Sequence, residues 1–129
     1  MAGSRYVLTE FSHNSEESYI RERLSALLSG GYKPIMAHIE RYEATRNSLD
    51  FVEELADMGV YMQINADSII GKDGFFTKRY CNKIMKDGLL HFVGSDCHNS
   101  AKRSSRIGEA YRMVSAKFGQ DYADELFIH

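Results

Sequence analysis

Glu10, His38, Asp96 and His98 are oxygen and nitrogen donors, and each stands at or just past the end of a run that reads as a β-strand. Carboxylate and imidazole together suit Zn, Mn or Fe, and the Asp-x-His spacing of Asp96 and His98 lets two ligands reach neighbouring ions from one strand end. Alternation along an extended strand puts Glu10 on the face of Tyr6 and Leu8, an otherwise apolar face on which a carboxylate needs a cation or a hydrogen-bonding partner. Taken singly, a strand Glu is more often a surface residue and a lone His more often a hydrogen-bonded structural one. The residue types alone therefore leave open both a shared metal site and an ordinary surface. His13, His91 and His129 lack this placement and read as structural or surface residues.

Two arginines stand near these donors in sequence, Arg41 three residues after His38 and Arg103 five after His98. Guanidinium forks bind phosphate oxygens bidentately, so a phosphorylated substrate is one reading; ordinary surface arginines is the other. Lys102 and Arg106 add local positive charge. Cys97 and Arg103 also satisfy Cys-x5-Arg, the spacing by which a cysteine-dependent phosphatase sets a thiolate beneath a bound phosphate. Nine arginines make that spacing frequent by chance, and the intervening residues contain no glycine to let backbone amides converge on an anion.

The elements that must position these groups alternate. Tyr6–Phe11 reads as a strand running into a polar helix cap at Ser12–Ser15, and Ile20, Leu24, Leu27 and Leu28 recur at helical spacing up to Gly30-Gly31. Pro34–His38 reads as a second strand; Phe51, Val52, Leu55 and Met58 mark a helix ended by Gly59. Val60–Asn65 is a third strand, a helix is expected from about Thr77 to Lys86, and Leu89–Gly94 is a fourth strand. Ile107, Ala110, Tyr111, Val114 and Phe118 form the apolar stripe of a late helix, with a short helical tail near Asp121–Phe127. Four strand-helix alternations imply an α/β fold with a parallel sheet, as in half of a (β/α) barrel, where catalytic groups collect at the C-terminal ends of strands. A half barrel would expose sheet edges and apolar lining residues, so a partner, a swapped copy or a local rearrangement is expected.

Composition sets outer limits. The net charge of -2 argues against a nucleic-acid surface working through bulk electrostatics. No apolar run approaches the roughly 20 residues of a membrane helix, and the N-terminus lacks the apolar stretch of a signal peptide, so a cytoplasmic location is expected. Two cysteines, Cys81 and Cys97, are too few for a disulfide framework and fit a reducing compartment.

The segments Arg5–Phe11, Pro34–Tyr42 and Gly94–Asn99 resemble, in order and approximate separation, later motifs of PHP-superfamily bacterial protein-tyrosine phosphatases encoded in capsular and exopolysaccharide loci. Tyr61–Asn65, Glu109–Tyr111 and Glu125–Ile128 extend the resemblance almost from end to end. It implies a distorted, TIM-like (β/α) barrel of which residues 1–129 form the C-terminal half, a single partial domain. It also implies that Glu10, His38, Asp96 and His98 ligate divalent metals, Mn foremost with Zn or Fe as alternatives, while Arg41 and Arg103 engage the substrate phosphate. The implied chemistry is in-line hydrolysis of phosphotyrosine by a metal-activated hydroxide without a covalent phosphoenzyme. The implied partner is the tyrosine-rich tail of a bacterial tyrosine kinase controlling polysaccharide export.

The pattern departs from the family in two ways. The family's His-x-His motif, a further acidic ligand, another His and a bridging Glu all precede the matching segments, and none is in this chain. Ile39 stands where Pro is common after the metal-binding His. The expectation is a chain that turns over weakly or not at all alone and forms homo-oligomers or needs the N-terminal half. The alternatives are a non-catalytic oligomerisation or binding module and, third, a cysteine phosphatase using Cys97 and Arg103.

Overall fold

The computed structural model describes residues 5–94 and 100–127, the side chains of 100–105 excepted. Four strands, β1 (Tyr6–Thr9), β2 (Lys33–Met36), β3 (Tyr61–Asn65) and β4 (Phe92–Gly94), lie in the order β1-β2-β3-β4 and every pairing is parallel. Parallel neighbours need a crossover between them, and the helices expected from the apolar spacing supply it. The α/β reading with alternating parallel strands therefore stands. The chain divides into two compact units, one running through Met62 and the other from Gln63.

In the first unit, helix α1 (Glu17–Ser29) buries Ile20 and Leu24. After the short helix α2 (Glu43–Arg46), α3 (Leu49–Met58) buries Phe51, Val52 and Leu55. Helix α3 is closed at both ends: the Ser48 hydroxyl accepts from the Phe51 N–H at 3.1 Å, and Gly59 takes φ 110°, a left-handed stop that a side chain would disfavour. Arg21 of α1 lies over the Phe51 ring and forks onto the Glu54 carboxylate, its Nη2 3.0 Å from Oε1. That pair is exposed and adds orientation more than stability; the buried Met36, Ile39, Leu55 and Met62 carry the packing.

In the second unit, α4 (Ala66–Ile70), α5 (Phe75–Lys86), α6 (Ser100–Phe118) and α7 (Gln120–Phe127) surround a core of Ile64, Ile69, Ile84, Met85, Ala110, Val114 and Leu126. Arg106 donates to Asp67 Oδ2 at 2.8 Å and ties α6 to α4, while the Tyr122 hydroxyl donates to the Met85 carbonyl at 3.1 Å and ties α7 to α5. Among the described residues no helix is long and apolar enough to cross a membrane.

Several boundaries differ from the sequence expectation. The first strand stops at Thr9, and the helix after it begins at Glu17 behind Glu16, which makes no side-chain cap, so Ser12–Ser15 turn without capping. The second strand ends at Met36 because His38 leaves the extended region, and the fourth begins at Phe92 although Leu89 and Leu90 are buried. The face shared by Tyr6, Leu8 and Glu10 is open: Tyr6 is 47% and Leu8 57% exposed. Burial on an apolar face is therefore not what asks for a cation at Glu10, a correction to the sequence argument.

A buried tyrosine anchors the segment after β2. Tyr42, 1% exposed, accepts a hydrogen bond from the Phe11 N–H at 3.2 Å and meets the Phe11 ring edge-on at 6.0 Å. Burial pushes its hydroxyl up to about 12; the Phe11 N–H and the Arg41 charge oppose the rise, and Glu10 and Glu40 add to it. Because the folded value lies above the ordinary 10.0, the contribution of neutral Tyr42 is fully present below pH 10.0 and is lost as pH rises toward about 12. Tyr42→Phe should lose about 1 kcal/mol at neutral pH with the hydrogen bond. It should also flatten the fall in stability above pH 10.0. Urea unfolding of both proteins across that range is the check, and a variant with the wild-type pH slope would contradict the assignment.

Candidate metal centre

The register of the first two strands builds the centre. Thr9 pairs with Met36, and the Ala37 N–H donates to the Thr9 carbonyl at 3.0 Å, so the residues just past the two strands emerge side by side. Glu10 follows β1 directly and His38 comes two residues after β2, and Glu10 Oε1 lies 3.8 Å from His38 Nε2. His38 takes φ 36° and ψ 60°, the left-handed region, and among the described residues it is the one non-glycine with positive φ. Such a conformation costs free energy and recurs where a side chain must be aimed. It turns the chain from β2 into the 3-10 turn Ile39–Arg41, which buries Ile39 and Glu40. The His38 ring rests near Tyr42, centroids 5.5 Å apart, with its side chain 17% exposed against 65% for Glu10.

These two donors fit a divalent cation. Two ligands on one tetrahedral ion with bonds of about 2.0–2.1 Å stand about 3.4 Å apart, so a small rotation of the exposed Glu10 carboxylate would bring both onto one ion. The pair also mixes oxygen and imidazole nitrogen, a set suited to Mn, Zn or Fe. Two ligands do not complete a shell, and among the described residues no group of three or more His, Cys, Asp or Glu side chains gathers.

Of the other expected site residues, Asp96 and His98 lie outside the described residues, as does Cys97; they come two, four and three positions after the end of β4 in the sequence. Arg103 falls in the first turns of α6, and its side chain is likewise outside the described set. Arg41 is exposed at the end of the 3-10 turn, three residues past His38. His13 is a surface residue 3.7 Å from the Glu43 carboxylate, and His91 is half-buried, with burial lowering its pKa.

Two residues beside the centre had not been singled out. Tyr42 braces the His38 ring, and Glu40 buries its carboxylate to 1% exposure two residues from His38. The signal available for Glu40 was an acidic residue between Ile39 and Tyr42, both apolar enough to bury; charge alone pointed it outward.

The chain is similar to known proteins along nearly its whole length. The chain is 38% identical over 130 residues to the tyrosine-protein phosphatase CpsB of Streptococcus pneumoniae, covering 97% of this chain and 54% of that protein. It is 30% identical over 118 residues to the tyrosine-protein phosphatase YwqE of Bacillus subtilis, covering 92% of this chain and 46% of that one. Among solved structures it superposes with TM-score 0.83 and 29% identity on a chain from work on YwqE of Bacillus subtilis and CpsB of Streptococcus pneumoniae, described as unique metal-dependent tyrosine phosphatases. The overlap takes in 93% of this chain and 49% of that chain. This chain thus spans about half the length of the curated relatives it matches. The capsular polysaccharide synthesis family CpsB/CapC matches residues 1–129, and the chain belongs to that family.

Proposed function

We propose that this chain supplies metal ligands and phosphate-binding arginines to a metal-dependent protein-tyrosine phosphatase acting in capsular polysaccharide synthesis. The observation that carries the reading is the Glu10–His38 pair, two donors 3.8 Å apart just past the C-terminal ends of adjacent parallel strands. Asp96 and His98 would complete the ligands of this chain, and further ligands are needed for more than one ion. When bound, the metal lowers the pKa of water and neutralises charge on a phosphoryl oxygen. Glu10 and His38 would hold that ion, and Tyr42, its ring 5.5 Å from that of His38, limits the swing of the imidazole. Arg41 and Arg103 would clasp the phosphate of a phosphotyrosine on a protein, such as the tail of a kinase that regulates polysaccharide export. The parallel sheet would form part of a distorted (β/α) barrel in a longer assembly, and residues 1–129 one partial domain of it.

A second reading, an oligomerisation module that turns nothing over, is favoured by Tyr6 and Leu8, which are exposed on β1, a strand that pairs on one side only among the described residues. Sedimentation together with turnover separates the two: tight self-association with no hydrolysis, even after addition of a segment bearing the His-x-His motif, supports the module.

Metal titration followed by elemental analysis should show Mn retained by the chain and its affinity lowered about tenfold or more in Glu10→Gln and in His38→Ala. Hydrolysis of a phosphotyrosine peptide, weak in the chain alone and raised by the complementing segment, should stop with a chelator and persist in Cys97→Ser. Chelator-resistant turnover lost in Cys97→Ser would instead establish the cysteine mechanism.

Arg41→Ala should weaken binding of the phosphotyrosine peptide by about tenfold or more, the loss expected for charge-assisted hydrogen bonds, while leaving the unphosphorylated peptide unaffected. Arg41→Lys should recover part of the loss. Equal losses for both peptides would remove Arg41 from phosphate recognition.

A further inference from the structure

A line of aromatic rings leads from the candidate centre to the surface of the first unit. The His38 ring rests near Tyr42, centroids 5.5 Å apart; Tyr42 meets Phe11 edge-on at 6.0 Å, and Phe11 meets Tyr19 edge-on at 6.2 Å. Each separation lies in the range at which aromatic pairs attract. Burial falls off along the line: Tyr42 is 1% exposed, Phe11 is half-buried and Tyr19 is 53% exposed. Phe11 directly follows Glu10, so the line adjoins both donors of the centre.

The backbone that carries the two outer rings is anchored. The Phe11 N–H donates to the Tyr42 hydroxyl and the Glu43 N–H to the His13 carbonyl at 2.8 Å, which ties the segment after β1 to the segment after β2 at two points. Tyr19 is the third residue of α1, and the next residue, Ile20, is fully buried and fixes that turn against the core. A ring on anchored backbone offers a large contact area at little entropic cost, since a Phe or Tyr side chain has few torsions to order.

We propose that Phe11 and Tyr19 form the surface on which the aryl ring of a phosphotyrosine lies and that they set a preference for aryl over alkyl phosphate, an inference that rests on the phosphatase reading. A metal ion and guanidinium forks meet phosphate oxygens, which phosphoserine and phosphotyrosine share. Discrimination between the two therefore needs a group that touches the ring. The ring hangs from the phosphorus through a single ester oxygen, so a phosphate bound beside Glu10 and His38 carries its ring to the residues adjoining that pair. Phe11 adjoins Glu10 in the chain, and Tyr19 extends the Phe11 ring outward. Tyr42, although its ring lies near His38, is covered and has no open face for a ligand. Phosphoserine brings no ring to this surface and forgoes the contact.

The test uses four fluorescein-labelled peptides of one sequence, with tyrosine or serine at the centre, each with and without the phosphate. Fluorescence anisotropy in the presence of Mn is measured with the full chain and with Tyr19→Ala, Tyr19→Phe and Phe11→Leu, the leucine keeping an apolar side chain against Tyr42 so that the segment stays folded. The phosphotyrosine peptide should bind on the order of tenfold more tightly than the phosphoserine peptide. Tyr19→Ala and Phe11→Leu should each shrink that ratio by about threefold, and Tyr19→Phe should preserve it. A wild-type chain that binds the two phosphopeptides equally overturns the proposal, as does a ratio that survives in both Tyr19→Ala and Phe11→Leu, or losses in those variants that are equal for the two phosphopeptides. The two readings fail separately: a tyrosine-over-serine preference that depends on Phe11 and Tyr19 but gains nothing from phosphate keeps the ring surface and sinks the phosphatase reading, whereas a phosphate gain equal for tyrosine and serine does the reverse.

Discussion

Parallel pairing in register is the constraint on which the candidate centre depends. With Thr9 opposite Met36, β1 and β2 run out on the same side of the sheet, so Glu10, one residue past β1, and His38, two past β2, come together although 28 positions separate them in the sequence. The left-handed turn at His38 then brings its ring back toward Glu10. The register is held by the alternate burial of Pro34 and Met36 and by the Ala37 N–H bond to the Thr9 carbonyl, and both depend on the crossover through α1, which packs Ile20 and Leu24 into the core.

A second layer of order aims the histidine. Left alone, a residue past a strand end would sample several conformations; here His38 is held in the left-handed region by the segment Ile39–Thr45. The 3-10 turn buries Ile39 and Glu40, the Thr45 hydroxyl donates to the Ile39 carbonyl at 2.6 Å, and Tyr42 locks onto Phe11. Local strain at one residue is thereby offset by burial and hydrogen bonding at its neighbours, the arrangement expected where a side chain must be pre-positioned.

The second unit is organised differently, by polar ties between helices laid over an apolar core. Asp67 with Arg106, Tyr111 with Asp124 and Tyr122 with the Met85 carbonyl link α4 to α6, α6 to α7 and α7 to α5. These ties fix the helices of the unit against one another, and α6 is also the helix on which Arg103 lies. One unit thus presents donors at strand ends, and the other presents cations along a helix.

The sequence by itself determined the α/β class and the order of the elements and marked Glu10 and His38 as candidate donors, because burial periodicity and strand-end placement are local properties of the chain. It misjudged the short pieces: the 3-10 turn after β2 and the helices Glu43–Arg46 and Ala66–Ile70 are too brief to show a period, and Leu89 and Leu90 are buried without being strand. Glu10 was legible as a ligand candidate for a reason the structure does not share, since its face is open to solvent. Only the tertiary structure decided that Glu10 meets His38, that Tyr42 and Glu40 are buried beside them, and that Arg106 reaches Asp67. Each of these depends on strand register or helix packing between residues far apart in the sequence, which no local pattern encodes.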